Sequence, residues 1–200
     1  MAFDNPDLTA LLGSRICHDL ISPLGAIGNG VELLMMSGDT TGPEIALISE
    51  SVSNATARIR FFRIAYGMAP PGQTVSRGEV RSILDDMTRG GRLNIDWRIP
   101  GDPPRPETKL AFLALQCLET ALPFGGRITV TADDCGWRIE AQAEKMKIDD
   151  ALWVRLDGAA PEAAQIAPAH VQFALLPEEA TRLGRRLRVA RAEGRIAIGY

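Results

Sequence analysis

Residues 17–34, CHDLISPLGAIGNGVELL, form the stretch that decides how the rest of this chain is interpreted. Apolar side chains recur through and around it at steps of three and four residues, which predicts an amphipathic helix that buries one face. At about 100° per residue, His18 lies on the side of the helix opposite those apolar residues. We call the apolar residues the α1 stripe; its members are Leu12, Ile16, Leu20, Leu24, Ile27, Val31 and Leu34.

The helix face around His18 carries small and polar residues, so a second protein could approach the imidazole closely. Ser14, Ser22, Gly25 and Asn29 project within a narrow sector around it. A glycine inside a helix costs about 1 kcal/mol relative to alanine, and close approach by a partner would explain why Gly25 is there. An imidazole is a good nucleophile that is available in its neutral form near pH 7. The pattern therefore predicts a histidine that becomes phosphorylated.

Two helices are predicted at the start of the chain, over 6–37 and 43–66. The connection over 38–42 is short, so the helices should be antiparallel neighbours. Two amphipathic helices make a poor core by themselves, and a homodimer that forms a four-helix bundle would complete it. Pro23 lies inside the first helix, where it predicts either a simple kink or a local opening of the backbone beside His18.

The remainder of the chain has a mixed α and β pattern that follows a Pro- and Gly-containing linker over 68–74. Ser76 and Glu79 stand at capping-box spacing at the start of a helix. The sequence thus predicts an α+β protein with a helical hairpin over 1–70 and an α/β domain over 75–200. The predicted elements of that domain are helices over 76–88, 106–122 and 169–183, strands over 93–99 and 152–156, and β-hairpins over 127–132 with 137–143 and 186–190 with 195–198.

Composition excludes several classes of function. The net charge is −3, so there is no basic field for a nucleic acid partner. No apolar run approaches the roughly 20 residues that cross a membrane, and the first residues carry acids where a signal peptide would carry Lys or Arg. The three cysteines lack metal-ligand spacing, so the sequence predicts no metal site and a cytoplasmic protein with reduced thiols.

The segment His18-Asp19-Leu20-Ile21-Ser22-Pro23-Leu24 resembles the phosphoacceptor motif of histidine kinases. The longer stretch 17–34 is similar to the histidine phosphotransferases of alphaproteobacteria. The resemblance implies a dimeric four-helix bundle followed by an α/β sandwich like a kinase ATP domain. It also implies that His18 is the nucleophile and that Asp19 orients its ring or accepts its proton. The residues expected to contact partners are Ser14, Arg15, Ser22, Gly25, Asn29 and Glu32.

The sequence departs from kinases at the motifs that would bind ATP. Glu119 and Thr120 stand where an Asn that helps to hold magnesium and phosphates would be expected. The segment Asp157-Gly158-Ala159-Ala160 lacks the second glycine of the adenine-binding motif, and 157–168 is rich in Ala and Pro instead of Gly. Glycines there let backbone N–H groups approach phosphates. The departures predict that the chain binds no ATP, has no cofactor of its own and does not phosphorylate itself.

The resemblance implies a histidine phosphotransferase of a bacterial phosphorelay. His18 would take a phosphoryl group from the receiver domain of a hybrid histidine kinase and pass it to downstream response regulators, with a link to the cell cycle. The receiver domain would supply Mg²⁺. Two alternatives stay open at this point: a divergent histidine kinase that uses ATP, and a non-catalytic dimeric scaffold.

Overall fold

The computed structural model describes residues 8–36, 42–158 and 166–200, and these residues form an α+β fold, as the sequence predicts. Both ends of the predicted first helix lie outside the described residues. The elements are α1 (Leu8–Met36), α2 (Pro43–Ala65), α3 (Arg77–Thr88), β1 (Leu93–Trp97), α4 (Arg105–Thr120), β2 (Gly126–Asp133), β3 (Gly136–Gln142), α5 (Asp150–Trp153), a 3-10 turn (Pro168–His170), α6 (Gln172–Arg182), β4 (Arg188–Ala192) and β5 (Arg195–Gly199).

Helices α1 and α2 pack against each other as an antiparallel hairpin, and α1 continues unbroken through position 23. Glycines allow the close approach. A Cβ atom at Gly13 would lie 3.0 Å from the carbonyl oxygen of Tyr66, and one at Gly28 would lie 3.4 Å from Cγ1 of Val52. Counting along both helices from these two contacts places Phe61 level with His18. Within the described ranges, no helix is long and apolar enough to cross a membrane.

Helix α2 also packs against the α/β part of the chain, through a face that the sequence analysis did not identify. Phe61 is 1% exposed and stacks on Phe112 of α4, with 4.5 Å between the ring centroids. Ile64 and Ala65 beside it are fully buried. Burying a side chain as large as phenylalanine stabilises a fold by about 2–3 kcal/mol. The hairpin and the α/β part therefore share one apolar core.

The α/β part contains a five-stranded sheet in the order β1-β2-β3-β5-β4. Strand β1 is parallel to β2, and the other pairs are antiparallel. The two predicted β-hairpins are confirmed, within two residues at their ends. Residues 108–118 of α4 are buried, and side chains from the middle of β2, β3 and β5 complete the core, namely Ile128, Val130, Ile139, Ile196 and Ile198.

The strand predicted over 152–156 is wrong, because this segment forms the short helix α5 and a following turn. The side chain of Asp149 accepts a hydrogen bond from the amide of Ala151 at 3.1 Å, which caps a helix start. Trp153 and Leu156 are both buried, and their spacing of three residues places them on one face of a helical turn, whereas a strand would direct them to opposite faces. The segment is too short for its sequence to establish either period.

The predicted linker over 68–74 is not helical, and it is fastened to the start of α4. The amide of Val75 donates to the carbonyl of Pro103 at 3.0 Å, and the amide of Arg105 donates to the carbonyl of Gln73 at 2.7 Å. The guanidinium of Arg105 donates to the carbonyl of Met68 at 2.9 Å. These bonds hold the end of α2 in a fixed position relative to the sheet.

Candidate functional site

His18 is exposed on α1, and the residue before it, Cys17, is buried against α2. Burial raises the pKa of the Cys17 thiol, and the positive charge of Arg63 on α2 opposes part of that rise. The thiol therefore stays protonated at neutral pH and belongs to the packing of the hairpin. The imidazole beside it faces outward, where another protein can reach it.

A strip of exposed residues extends from His18 along α1 toward the C-terminal end of that helix. The predicted partner-contact residues Ser22, Gly25, Asn29 and Glu32 all belong to this strip. The side chains of Ser14, Arg15 and Asp19 lie outside the described part of the chain, so the roles predicted for them stay predictions.

The glycines of α1 fall into two groups. Gly13 and Gly28 meet atoms of α2 at contact distance, so packing within the hairpin accounts for them. A Cβ atom at Gly25 or Gly30 would meet nothing within 4 Å. The fold of a single chain therefore does not require glycine at position 25, where it widens the free space beside the path to His18.

Much of the α1 stripe is left exposed by the chain itself. Val31 is buried against α2, but Ile16, Leu20, Ile27 and Leu34 are 46–51% exposed. The surfaces of monomeric proteins rarely carry contiguous apolar patches of this kind without a binding role. Further exposed apolar residues lie off the α1 stripe near the end of the hairpin, namely Leu33, Met35, Met36, Leu47 and Ile48.

Two ion pairs of matched geometry connect α2 to the α/β part, and sequence analysis missed both. Arg58 pairs with Glu119 of α4 at 2.9 Å, and Arg63 pairs with Glu79 of α3 at 2.9 Å. In each pair the arginine side chain is close to half exposed, at 46% and 42%. The partners are far apart in sequence, so no local pattern could reveal them.

The positions at which a kinase would hold ATP are engaged in contacts within the chain. The carboxylate of Glu119 pairs with Arg58, and the hydroxyl of Thr120 donates to the carbonyl of Cys117 at 2.7 Å. The carboxylate of Asp157 lies 3.7 Å from the guanidinium of Arg191. Ala159 and Ala160, the other two residues of the degenerate adenine motif, lie outside the described residues.

An open cavity of about 450 Å³ lies between α2, the C-terminal part of α4 and the start of α6. The hydroxyl of Tyr66 hydrogen-bonds to the side-chain carbonyl of Gln116 in its wall. Burial raises the pKa of Tyr66 to about 12, so this phenol is neutral at physiological pH. Among the described residues, no group of three or more His, Cys, Asp or Glu side chains could hold a metal ion.

Comparison with known proteins gives matches over most of the chain. A protein-family model described as "Histidine phosphotransferase C-terminal domain" matches residues 77–195. Protein phosphotransferase ChpT of Brucella abortus (strain 2308) is 35% identical over 162 residues, which cover 78% of this chain and 77% of ChpT. A solved structure described as "1.7 Angstrom Structure of a Bacterial Phosphotransferase" aligns with a TM-score of 0.65 and 28% identity, covering 99% of this chain and 97% of the other. The likeness therefore extends over the helical hairpin as well as the α/β part.

Proposed function

The chain belongs to the histidine phosphotransferase family, and from this membership we propose that it relays phosphoryl groups through His18 between receiver domains of a phosphorelay. It is a phosphotransferase. We choose His18 as the phosphoacceptor because it is exposed at one end of the strip formed by Ser22, Gly25, Asn29 and Glu32. We infer that the hairpin over 1–70 performs the transfer and that it does so in the cytoplasm.

The transfer consists of two displacements at phosphorus. Nε2 of His18 attacks the aspartyl phosphate on the receiver domain of a hybrid histidine kinase. The N–P bond forms as the P–O bond to the aspartate breaks, and the carboxylate leaves with the electron pair. An aspartate of a response regulator then attacks the phosphohistidine, and the imidazole leaves. Asp19 is proposed to orient the ring or to accept its Nδ1 proton.

Phosphoryl transfer depends on in-line positioning and on neutralising the charge of the phosphoryl oxygens. We propose that the receiver domain brings Mg²⁺ for part of that neutralisation. Receiver domains would dock on the strip that extends from His18 toward the C-terminal end of α1, together with Ser14 and Arg15 on the N-terminal side of His18. Response regulators of the cell cycle are the proposed downstream partners.

We also propose that two copies of the chain associate through the α1 stripe and complete a four-helix bundle. The support is the set of half-exposed residues Ile16, Leu20, Ile27 and Leu34, which lie away from His18 on α1. Covering this patch in a dimer would leave His18 of each copy accessible.

The dimer predicts that Ile27→Glu weakens self-association by about 100-fold or more, because a carboxylate would be buried without a partner in the bundle. Sedimentation velocity over a range of concentrations measures the effect. Leu33→Glu is the matched control. Leu33 is 67% exposed and lies off the α1 stripe, so this variant should dimerise like the wild type. Equal association constants for the two variants would contradict a dimer through the stripe.

We further propose that the chain neither binds ATP nor phosphorylates itself. Two contacts support this: Glu119 is paired with Arg58, and Asp157 is paired with Arg191. A carboxylate without a bridging metal is an unfavourable neighbour for a triphosphate.

The experiment that tests the function supplies phosphoryl groups from two sources. Wild-type protein should become labelled within seconds to minutes by phosphorylated receiver domains of hybrid histidine kinases from the same organism. It should remain unlabelled with Mg-ATP alone, and calorimetry should show no micromolar binding site for Mg-ATP. Labelling from ATP would favour a divergent histidine kinase instead. Labelling from neither source would favour a non-catalytic scaffold.

A further inference from the structure

Arg63 of α2 lies beside Cys17 of α1, and the helix geometry shows why. Gly28 contacts Val52 across the hairpin. Eleven residues make three turns of a helix to within about 20°, so residues eleven apart point in nearly the same direction. Cys17 lies eleven residues before Gly28 on α1, and Arg63 lies eleven residues after Val52 on the antiparallel α2. The contact between Gly28 and Val52 therefore implies that Cys17 and Arg63 also face each other. The effect of Arg63 on the pKa of the Cys17 thiol agrees with this placement.

The guanidinium of Arg63 extends to the flank of the hairpin on which His18 lies. On α1, a right-handed rotation of about 100° leads from Cys17 at the interface to His18. Because α2 is antiparallel to α1, a rotation in the same sense from the interface leads to the same flank on both helices, and the eleven-residue step carries Arg63 about 20° that way from Val52. Helix α3 covers α2 on that flank, where Arg60 lies 3.6 Å from Asp86. The partner of Arg63 there is Glu79, at the start of α3. Arg58 lies on the other flank, where its partner Glu119 belongs to α4.

We propose that Arg63 stabilises the phosphoryl group as it moves to and from His18, and that Glu79 holds the guanidinium in place. This inference rests on the proposed function, because it concerns the same histidine. In the transition state, negative charge spreads over three equatorial phosphoryl oxygens. A guanidinium is a permanent planar cation that can donate to two such oxygens at once. It has five N–H donors, so pairing with Glu79 leaves donors for phosphate.

A purely structural role for Arg63 is the alternative, since the ion pair also ties α2 to α3. Arg58 is the control that separates the two roles. It stands on the same helix, and its ion pair with Glu119 has the same length and nearly the same exposure as the pair between Arg63 and Glu79. Removing either arginine therefore breaks one ion pair of similar geometry between α2 and a neighbouring helix, but only Arg63 lies on the flank that carries His18.

The test compares Arg63→Ala with Arg58→Ala in single-turnover transfer from a phosphorylated receiver domain. We expect Arg63→Ala to slow the rate at saturating receiver by about 10- to 100-fold, because a charge that stabilises the transition state is lost. The receiver concentration for half-maximal rate should stay unchanged. Arg58→Ala should transfer within twofold of the wild type. Millimolar guanidinium chloride should restore part of the rate to Arg63→Ala and none to Arg58→Ala.

A second variant, Glu79→Gln, removes the ion pair with Arg63 but keeps the guanidinium, so we expect a loss of threefold or less. The proposal is overturned if Arg63→Ala transfers as fast as Arg58→Ala, or if Glu79→Gln is as slow as Arg63→Ala. If Arg63→Ala melts below the assay temperature, Arg63→Lys replaces it; a loss of threefold or more supports the proposal and a wild-type rate overturns it. A wild-type protein that takes up no label would instead contradict the proposed function itself.

Discussion

His18→Gln is expected to take up no phosphoryl group from a phosphorylated receiver domain under conditions that label the wild type to completion. The lone pair of an amide nitrogen is delocalised into the carbonyl, so glutamine has a similar size but no nucleophile. His18 is exposed, so the substitution leaves the packed core of the hairpin intact. The label should be measured by gel autoradiography, and in the wild type it should be labile to acid and stable to alkali, as phosphohistidine is.

His170→Gln is the matched control, because the chain contains two histidines. His170 ends the 3-10 turn before α6, away from the exposed strip on α1. This variant should label like the wild type. Acid-labile label on folded His18→Gln would show that another group accepts the phosphoryl, and loss of label in His170→Gln would point to the α/β part.

The elements that the sequence predicted correctly are those with strong local signals. The capping box of α3 is an example: the hydroxyl of Ser76 accepts from the amide of Glu79 at 3.0 Å. The β-hairpin turns have glycines at positive φ, 120° at Gly136 and 65° at Gly194, a conformation that other residues rarely adopt. The segment over 152–156 lacked such a signal, since four or five residues cannot establish a period.

The exposed side of the candidate site was predictable because helical phase alone places His18 opposite the α1 stripe. What covers each face was not predictable. Phe61 and Phe62 are adjacent in sequence, but the first stacks on Phe112 of α4 and the second is only half-buried. Similarly, Arg63 and Glu79 are distant in sequence, and only the tertiary fold shows that they pair. Long-range pairing depends on which elements become neighbours, and local patterns do not contain that information.

Gly25→Trp is expected to slow phosphoryl transfer at subsaturating receiver by about 100-fold or more, because loss of a central contact at a docking surface can cost about 2 kcal/mol or more of binding. Gly25 lies two turns from His18 on the exposed strip, and the space beside it is empty. An indole there would prevent a receiver domain from approaching α1 without touching the nucleophile. The loss should appear as a raised half-saturating receiver concentration, in contrast to the effect expected for Arg63→Ala.

Gly30→Trp tests whether this loss reflects the position on the helix or only the substitution. Gly30 is also exposed with no atom near its missing side chain, and it lies about 140° around α1 from Gly25. Both variants exchange the same residues, so their effects on helix propensity are equal. Gly30→Trp should therefore keep the wild-type rate while circular dichroism remains unchanged in both variants. Gly30 lies only about 40° from Leu34 of the α1 stripe, so sedimentation velocity must show that this variant is still a dimer before the rates are compared. If Gly25→Trp also keeps the wild-type rate, receiver domains dock on a different face, and the strip formed by Ser22, Gly25, Asn29 and Glu32 is not the partner surface.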